Sequence, residues 1–499
     1  MPGLLVRDVR LVPLAPGDDA PDHPVDVLVE QGRVTAVQVG APRPHAMEVV
    51  DGGGRWIVPG LWDQHVHLGQ LTLASQRLDL ASARSPDDAV RMVTERLTAS
   101  PRQPVIGWGH RSGGWQREAT VSELDAVSGP TPVVLISGDG HHAWLNTTAL
   151  TRLGMPARDV VVRETEWFAE YPRLSTLVGT DGTSPKAYRR TLDAASALGI
   201  VGLVDFEVDG GPTQWAERWS QGCDRLRIRS ATYAETLDAV IADGLRTGDS
   251  LPGCDDRATM GPLKIISDGS LNTRTAWCRA PYVDGEHSNG QPNLSAGELR
   301  RLLSRAQGAG LEVATHAIGD AAVGEALAAY AETGARGSVE HAQLVGRDDV
   351  CRMAELGIRA SVQPAHLLDD RDLSEQIWGD RTGCCFAFRW MLDDGVTLVL
   401  GSDAPVSPLD PWLAMAAAVH RSADERVGWH PEHSLGPQEA LAASADGQPM
   451  VQPGSRGDLV LIDNDPLAAG EDSAVGAVLR AVPPVALTVV AGEVVHSAL

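Results

Sequence analysis

The sequence predicts an α/β protein organised as a (β/α)8 barrel. Three observations carry this expectation. Eight short apolar runs recur through the middle of the chain, helical patterns separate most of them, and both ends read as short strands joined by tight turns. At 499 residues with 43% apolar side chains there is ample material for a large core, which excludes a disordered protein.

The N-terminal elements come first. Residues 4–14, 25–30 and 33–39 alternate as strands do, with Gln31-Gly32 as a turn. The C-terminal end repeats the pattern at 458–463, 486–490 and 493–495, around Ala491-Gly492. Both ends therefore predict one small sheet domain shared between the termini. Gly52-Gly-Gly54 lies between two strand segments and lacks a following Gly-Lys-Ser/Thr, so it reads as a turn and not a phosphate loop.

The eight barrel strands are expected at 56–65, 201–206, 226–231, 263–267, 311–316, 337–341, 358–362 and 397–403. Helical patterns fall at 185–198, 296–308, 321–332, 348–356 and in part of 374–394. Gly199, Gly310, Gly357 and Gly395 provide left-handed stops before the strands that follow. The first two strands are separated by far more than a normal connection. Strand-like runs at 104–108 and 132–137 make that segment an inserted subdomain, at about 70–185, expected to emerge at the barrel mouth and shape a substrate pocket. The apolar stripe at 412–419 reads as core. Thirteen tryptophans, several in loops, are expected to line an apolar pocket.

Bulk properties narrow the partners. A net charge of −24 and a pI near 5.0 argue against nucleic acid and anionic membranes. No apolar run is long enough to span a bilayer, and residues 1–17 carry no secretory signal pattern. The six cysteines include no C-x-x-C spacing, which makes cysteine metal ligation improbable. The expectation is a soluble cytoplasmic protein, with a homodimer allowed but not required.

Of the 42 lysines and arginines only two are lysines, and one of them, Lys264, sits in the apolar run Gly261-Pro-Leu-Lys264-Ile-Ile-Ser-Asp268. Arginine keeps its proton, whereas a buried lysine can become a neutral, nucleophilic amine. Such an amine takes up carbon dioxide to form a carbamate, an anionic oxygen ligand suited to bridging two metal ions. The alternative is an ordinary lysine whose tip reaches solvent or pairs with Asp268.

The surrounding pattern favours the first reading. Asp63-Gln-His65-Val-His67 places two imidazoles on one face at the end of the first strand. His316 ends the fifth strand, His341 the sixth, and Asp403 the eighth. With Lys264 on the fourth, six ligand-capable side chains fall at strand C-termini, where barrel active sites lie. That convergence is hard to attribute to chance.

Gly60-Leu-Trp-Asp-Gln-His-Val-His67, Leu263-Lys-Ile-Ile-Ser-Asp-Gly-Ser-Leu-Asn-Thr-Arg-Thr-Ala276, Thr315-His-Ala-Ile-Gly-Asp320, Val339-Glu-His-Ala-Gln343 and Gly401-Ser-Asp-Ala-Pro405 resemble the amidohydrolase superfamily. More narrowly they resemble amidohydrolase family 3, the YtcJ-like branch that includes N-substituted formamide deformylases. The resemblance implies a distorted (β/α)8 barrel at 58–450 and a β-sandwich made from 1–57 and 451–499. It implies two divalent metal ions, with His65, His67 and Asp403 on one, His316 and His341 on the other, and carbamylated Lys264 between them. Nitrogen and oxygen ligands suit zinc, and iron, manganese or nickel fit as well.

The implied reaction is hydrolysis of a carbon–nitrogen bond, amide or formamide in type and not a peptide, by a metal-activated hydroxide, with Asp403 as general base and acid. The substrate is expected to be a small amide-type molecule. His141 is a candidate to hydrogen-bond its carbonyl, with His142 the alternative, because Asp139-Gly-His141-His142 departs from the family's Asp-Gly-His-Ser. Arg274, Gln363 and His366 are further substrate candidates, and Asp63 and Asp320 either accept from ligating imidazoles or cap helices. Rival readings are an isomerase or decarboxylase using the same metals, a mononuclear hydrolase, and a non-catalytic metal-binding protein.

Overall fold

The computed structural model describes residues 3–42, 47–110, 112, 115–137, 142–174, 177, 183–208, 211–271, 274–283, 288–422, 426–468 and 485–499. The chain forms two compact units, residues 1–68 with 189–499, and residues 69–188.

In the larger unit eight parallel strands follow one another in chain order: Leu61–Val66, Ile200–Asp205, Arg227–Thr232, Ala258–Ile266, Val313–Ala317, Gly337–His341, Arg359–Val362 and Leu398–Leu400. Helices separate most of them, including Ala296–Ala309, Asp320–Thr333 and Arg347–Leu356, which is the (β/α)8 arrangement that the sequence predicts. Glycines at 310 and 357 end two of these helices in the left-handed region, at φ 78° and 65°.

Three boundaries differ from expectation. The run at 56–65 is two strands, Trp56–Pro59 in the terminal sheet and Leu61–Val66 in the barrel. Gly60 divides them where a Cβ would lie 2.4 Å from the Val201 side chain. The fourth strand starts at Ala258 because a register shift against Ser230 and Thr232 accommodates the Gly261-Pro262 pair. The eighth strand stops at Leu400, and beyond it the chain leaves regular pairing.

Strands one and eight meet at that point. A parallel bridge joins Val66 to Ala404, the Asp403 N–H donates to the His65 carbonyl at 2.7 Å, and the His67 N–H donates to the Ala404 carbonyl at 2.9 Å. The buried Asp63 carboxylate accepts the N–H groups of His65 at 3.0 Å and Ser402 at 2.9 Å. Gly401 is packed so closely that a Cβ would lie 2.8 Å from His65 N. The barrel thus closes through residues 63–67 and 401–404.

The terminal strands build a sandwich against the same unit. Leu4–Leu11 pairs with Val25–Glu30 and Glu48–Asp51 through its first half, then with Trp56–Pro59 through Arg10 and Leu11. Asp8, at φ 53°, bends the strand between the two sheets. Leu459–Ile462, Val485–Val490 and Glu493–Ser497 complete the second sheet, and Val6, Val27, Leu461 and Leu487 share the core. Arg227 grips Asp458 with two bonds, and Arg229 grips Asp446 in the same way at 2.7 and 2.8 Å. Arg456 reaches Asp446 at 2.9 Å, and the Arg229 guanidinium lies 4.1 Å from the Trp62 ring centroid.

The smaller unit centres on a mixed sheet. Leu78–Asp79, Val105–His110 and Val133–Ser137 run parallel, and His142–Leu145 and Val162–Arg163 continue antiparallel. The third of these strands is apolar on both faces. Val133 and Leu135 pack with Leu124 and Trp144, while Val134 and Ile136 pack with Leu150 and Trp167. Trp144, Trp167, Trp215, Trp378 and Trp412 are fully buried core, the last as the apolar stripe at 412–419 predicts. Where the indole N–H finds a buried acceptor, as Trp412 does on the Leu198 carbonyl at 2.9 Å, the ring can leave water entirely. Among the described residues, no helix is long and apolar enough to cross a membrane.

The Asp446 carboxyl is buried, which by itself raises its pKa, yet Arg229 and Arg456 hold it below its ordinary value. A depressed carboxyl contributes stability that is present above its unfolded pKa of about 3.9 and is lost as pH falls through the folded value. Asp446→Asn is therefore expected to cost about 3 kcal/mol at pH 7, with the gap to the natural protein closing under acid. Urea denaturation of both proteins across pH 3–7 checks this; a gap independent of pH would contradict it.

Candidate metal centre

Strand alternation sets up the cluster. Thr315 turns outward to bond Tyr330 of the neighbouring helix at 3.1 Å, so His316, one residue on, faces the barrel interior. Lys264 stands in register with Ala314 and is 3% exposed, its Nζ 4.2 Å from the Phe206 ring centroid. His65 and His67 project together, with ring centroids 5.6 Å apart. Glu340 and His341 would face opposite sides in a continuing strand. At φ 70° His341 breaks the alternation, and both residues reach His65.

His65 lies at the centre. Its Nδ1 donates to Glu340 Oε2 at 2.7 Å, a tautomer assigned from the partners, which leaves Nε2 as an acceptor. That Nε2 accepts from Lys264 Nζ at 3.1 Å and faces Asp403 Oδ1 at 3.5 Å. Asp403 Oδ1 also stands 3.3 Å from His67 Nε2, and Asp403 Oδ2 stands 3.9 Å from His366 Nε2. His341 packs edge-on to His316 at 4.5 Å and parallel to His366 at 6.2 Å between centroids. His316 Nε2 donates to the Gly269 carbonyl at 3.2 Å.

Burial dominates the electrostatics. It lowers His65 and His341 well below the ordinary imidazole value, with Lys264 and neighbouring imidazoles adding to the effect. Burial likewise takes His316 down to about 4. Lys264 is lowered by burial to about 8, even though Glu340 and Asp403 pull the other way. Burial would raise Asp403, but His67, His366 and Lys264 together hold it below its usual value. Neutral imidazoles beside an ionised carboxylate are the protonation states that metal binding requires.

The donor set fits a cation. Ligands about 2.0–2.1 Å from a tetrahedral zinc stand about 3.3 Å from one another. His67 Nε2 and His65 Nε2 lie 3.3 and 3.5 Å from the same Asp403 oxygen. A lone pair and a carboxylate oxygen facing each other at that distance call for positive charge between them. His67 Nδ1, His341 Nδ1 and His366 Nε2 are buried with no hydrogen-bond partner among the described residues. Two groups, His65–His67–Asp403 and His341–His366–Asp403, bring one ligand atom from each residue within 4.8 Å of the others.

The remaining site candidates fall as follows. Gln363 is buried after the seventh strand, and its amide donates to the Ser361 carbonyl at 3.3 Å. Arg274 lies in the loop after the fourth strand, with its N–H on the Leu271 carbonyl at 3.0 Å. His141 lies outside the described residues; His142, in the smaller unit, has its Nε2 2.7 Å from Ser112 Oγ. Asp320 accepts the Arg279 N–H at 2.9 Å and begins its helix, so neither it nor Asp63 receives a ligand imidazole. Asp268 does not pair with Lys264: it accepts the N–H groups of Ile318, Gly319 and Trp277 and pins the loops beside His316. Sequence reasoning missed Glu340 as the partner of His65. Its signal was the Glu340-His341 pair at a strand end, where attention went to the histidine.

A parallel barrel with imidazoles and a carboxylate gathered at the C-terminal ends of its strands is the arrangement of a candidate metal centre. The chain belongs to the amidohydrolase family, whose profile matches residues 48–496. It is 28% identical to Protein LONG AFTER FAR-RED 3 of Arabidopsis thaliana over 78% of this chain and 73% of that one. It is 25% identical to the putative amidohydrolase YtcJ of Bacillus subtilis, over 84% and 86% of the two chains. With the N-substituted formamide deformylase of Arthrobacter pascens it shares 26% identity over 89% and 91%. An uncharacterized metal-dependent hydrolase from Pyrococcus horikoshii has the same fold, with a TM-score of 0.74 at 24% identity over 94% and 98% of the chains.

Glu340→Ala removes the acceptor that fixes the His65 ring. Metal affinity is expected to fall about 10–100-fold with the fold intact, as read by competition against a chromophoric chelator. Unchanged affinity would show that the Glu340 contact does not orient a ligand.

Proposed function

We propose that this protein hydrolyses a non-peptide carbon–nitrogen bond, of amide or formamide type, in a small-molecule substrate. The observation that carries the reading is the meeting of His65, His67 and Asp403 at the barrel closure, with Lys264 Nζ 3.1 Å from His65 Nε2. Similarity to a formamide deformylase over most of both chains supports the bond type.

Two divalent ions, zinc being well suited to these donors, supply a water activated near neutral pH and a Lewis acid for the substrate carbonyl. His65, His67 and Asp403 hold one ion. His316 and His341 would hold the other, with Lys264 the residue that a carbamate would turn into an anionic ligand between them. A carbamate carries negative charge into a site where a bare ammonium would oppose the cations. Glu340 keeps His65 in the tautomer that presents Nε2. Asp403 takes up the proton of the attacking water and returns it to the leaving nitrogen. Gln363 and Arg274 are the residues assigned to orient substrate.

The test is a metal-replete screen against N-formyl and N-acyl amines, cyclic amides and carbamates, read by release of the amine. Turnover is expected to vanish on chelation and return with a divalent ion, and to vanish in Lys264→Arg and His316→Ala with little change in the melting curve. Full activity in either variant would contradict the two-ion assignment. Turnover without amine release would point to isomerisation or decarboxylation instead.

A further inference from the structure

Resting on the metal-centre reading above, we propose that His366 is a direct ligand of the second cation, at a position that Asp403 Oδ2 faces. The geometry of Asp403 is divided. Its Oδ1 faces His65 and His67 at 3.5 and 3.3 Å, whereas its Oδ2 faces His366 Nε2 at 3.9 Å. Each oxygen therefore belongs to a different three-residue group, and the two groups share only this carboxylate.

The second group has the character of a binding site. His341 is 7% exposed, and its Nδ1 has no hydrogen-bond partner among the described residues; the same holds for the buried Nε2 of His366. Leaving a buried polar atom unsatisfied is costly unless a ligand fills the gap. The two rings lie nearly parallel, 16° apart, and His366 opens the helix His366–Ile377, so the side chain sits on a rigid element. His316 Nε2 donates to the Gly269 carbonyl at 3.2 Å and stands 3.4 Å from Asp268, so this imidazole serves the second position through Nδ1. His366 thus joins His341 at the second position as a ligand and is not a group that contacts substrate.

The test measures metal bound to zinc-reconstituted protein after gel filtration, in wild type, His366→Ala, His366→Asn and His67→Ala, with melting curves on the same samples. Wild type is expected to carry two zinc ions per chain and both His366 variants one, the dissociation constant of the second ion rising more than tenfold. Zinc-edge anomalous diffraction from the wild-type holoenzyme decides the point without a variant, through a peak within bonding distance of His366 Nε2. Unchanged metal content and affinity in the His366 variants, a wild type that takes up one ion only, or no anomalous peak beside His366 overturns the inference while the metal centre stands. A wild type that takes up no zinc, or a His67→Ala protein that loses none, overturns the underlying reading instead.

Discussion

The structure depends on how the barrel closes. Strands one and eight do not continue a regular ladder at their ends. They are held by one bridge, two crossing backbone bonds and the Asp63 carboxylate, with Gly401 allowing the chains to approach. The residues in that closure are also candidate metal ligands. His65 and His67 stand on one side of the seam and Asp403 on the other, so joining the barrel and assembling the ligands are one event.

That arrangement stabilises protonation states that water would not. Five imidazoles, a lysine, a glutamate and an aspartate share a region of low exposure, and burial is the first cause of the shifts in His65, His341, His316 and Lys264. Depressed imidazoles are neutral donors at physiological pH, ready for a metal without competition from protons. The exception is Asp403, which stays ionised because surrounding positive groups outweigh its burial. Burying such a set without a cation is unfavourable, and the unpartnered nitrogens of His67, His341 and His366 record it.

Much of this was legible in the sequence for physical reasons. A strand forces residues two apart onto one face, so Asp63-Gln-His65-Val-His67 declares a paired imidazole site. A buried lysine in a chain that otherwise uses arginine declares an interest in the amine. The eight strands followed from apolar runs between helical patterns. What stayed hidden depends on three-dimensional approach. Gly60 breaks the first run because Val201 lies against it, and nothing within residues 56–65 says so. Glu340 stands in register with inward-facing His316, and the left-handed backbone at His341 brings the next side chain inward as well. His366 is marked by the sequence only as a substrate candidate after the seventh strand; it opens a helix, and the fold brings it opposite the second oxygen of Asp403.

The account makes the ligand set a consequence of the seam, and one comparison reaches that claim most directly: metal bound by Gly401→Ala against the natural protein, with far-ultraviolet circular dichroism recorded on both. A methyl group at this position would press on His65 N and Cβ at 2.8 and 2.9 Å. The expected result is a protein that keeps its secondary structure and loses most of its bound metal. A variant that binds metal as fully and as tightly as the natural chain would contradict the claim that barrel closure sets the site.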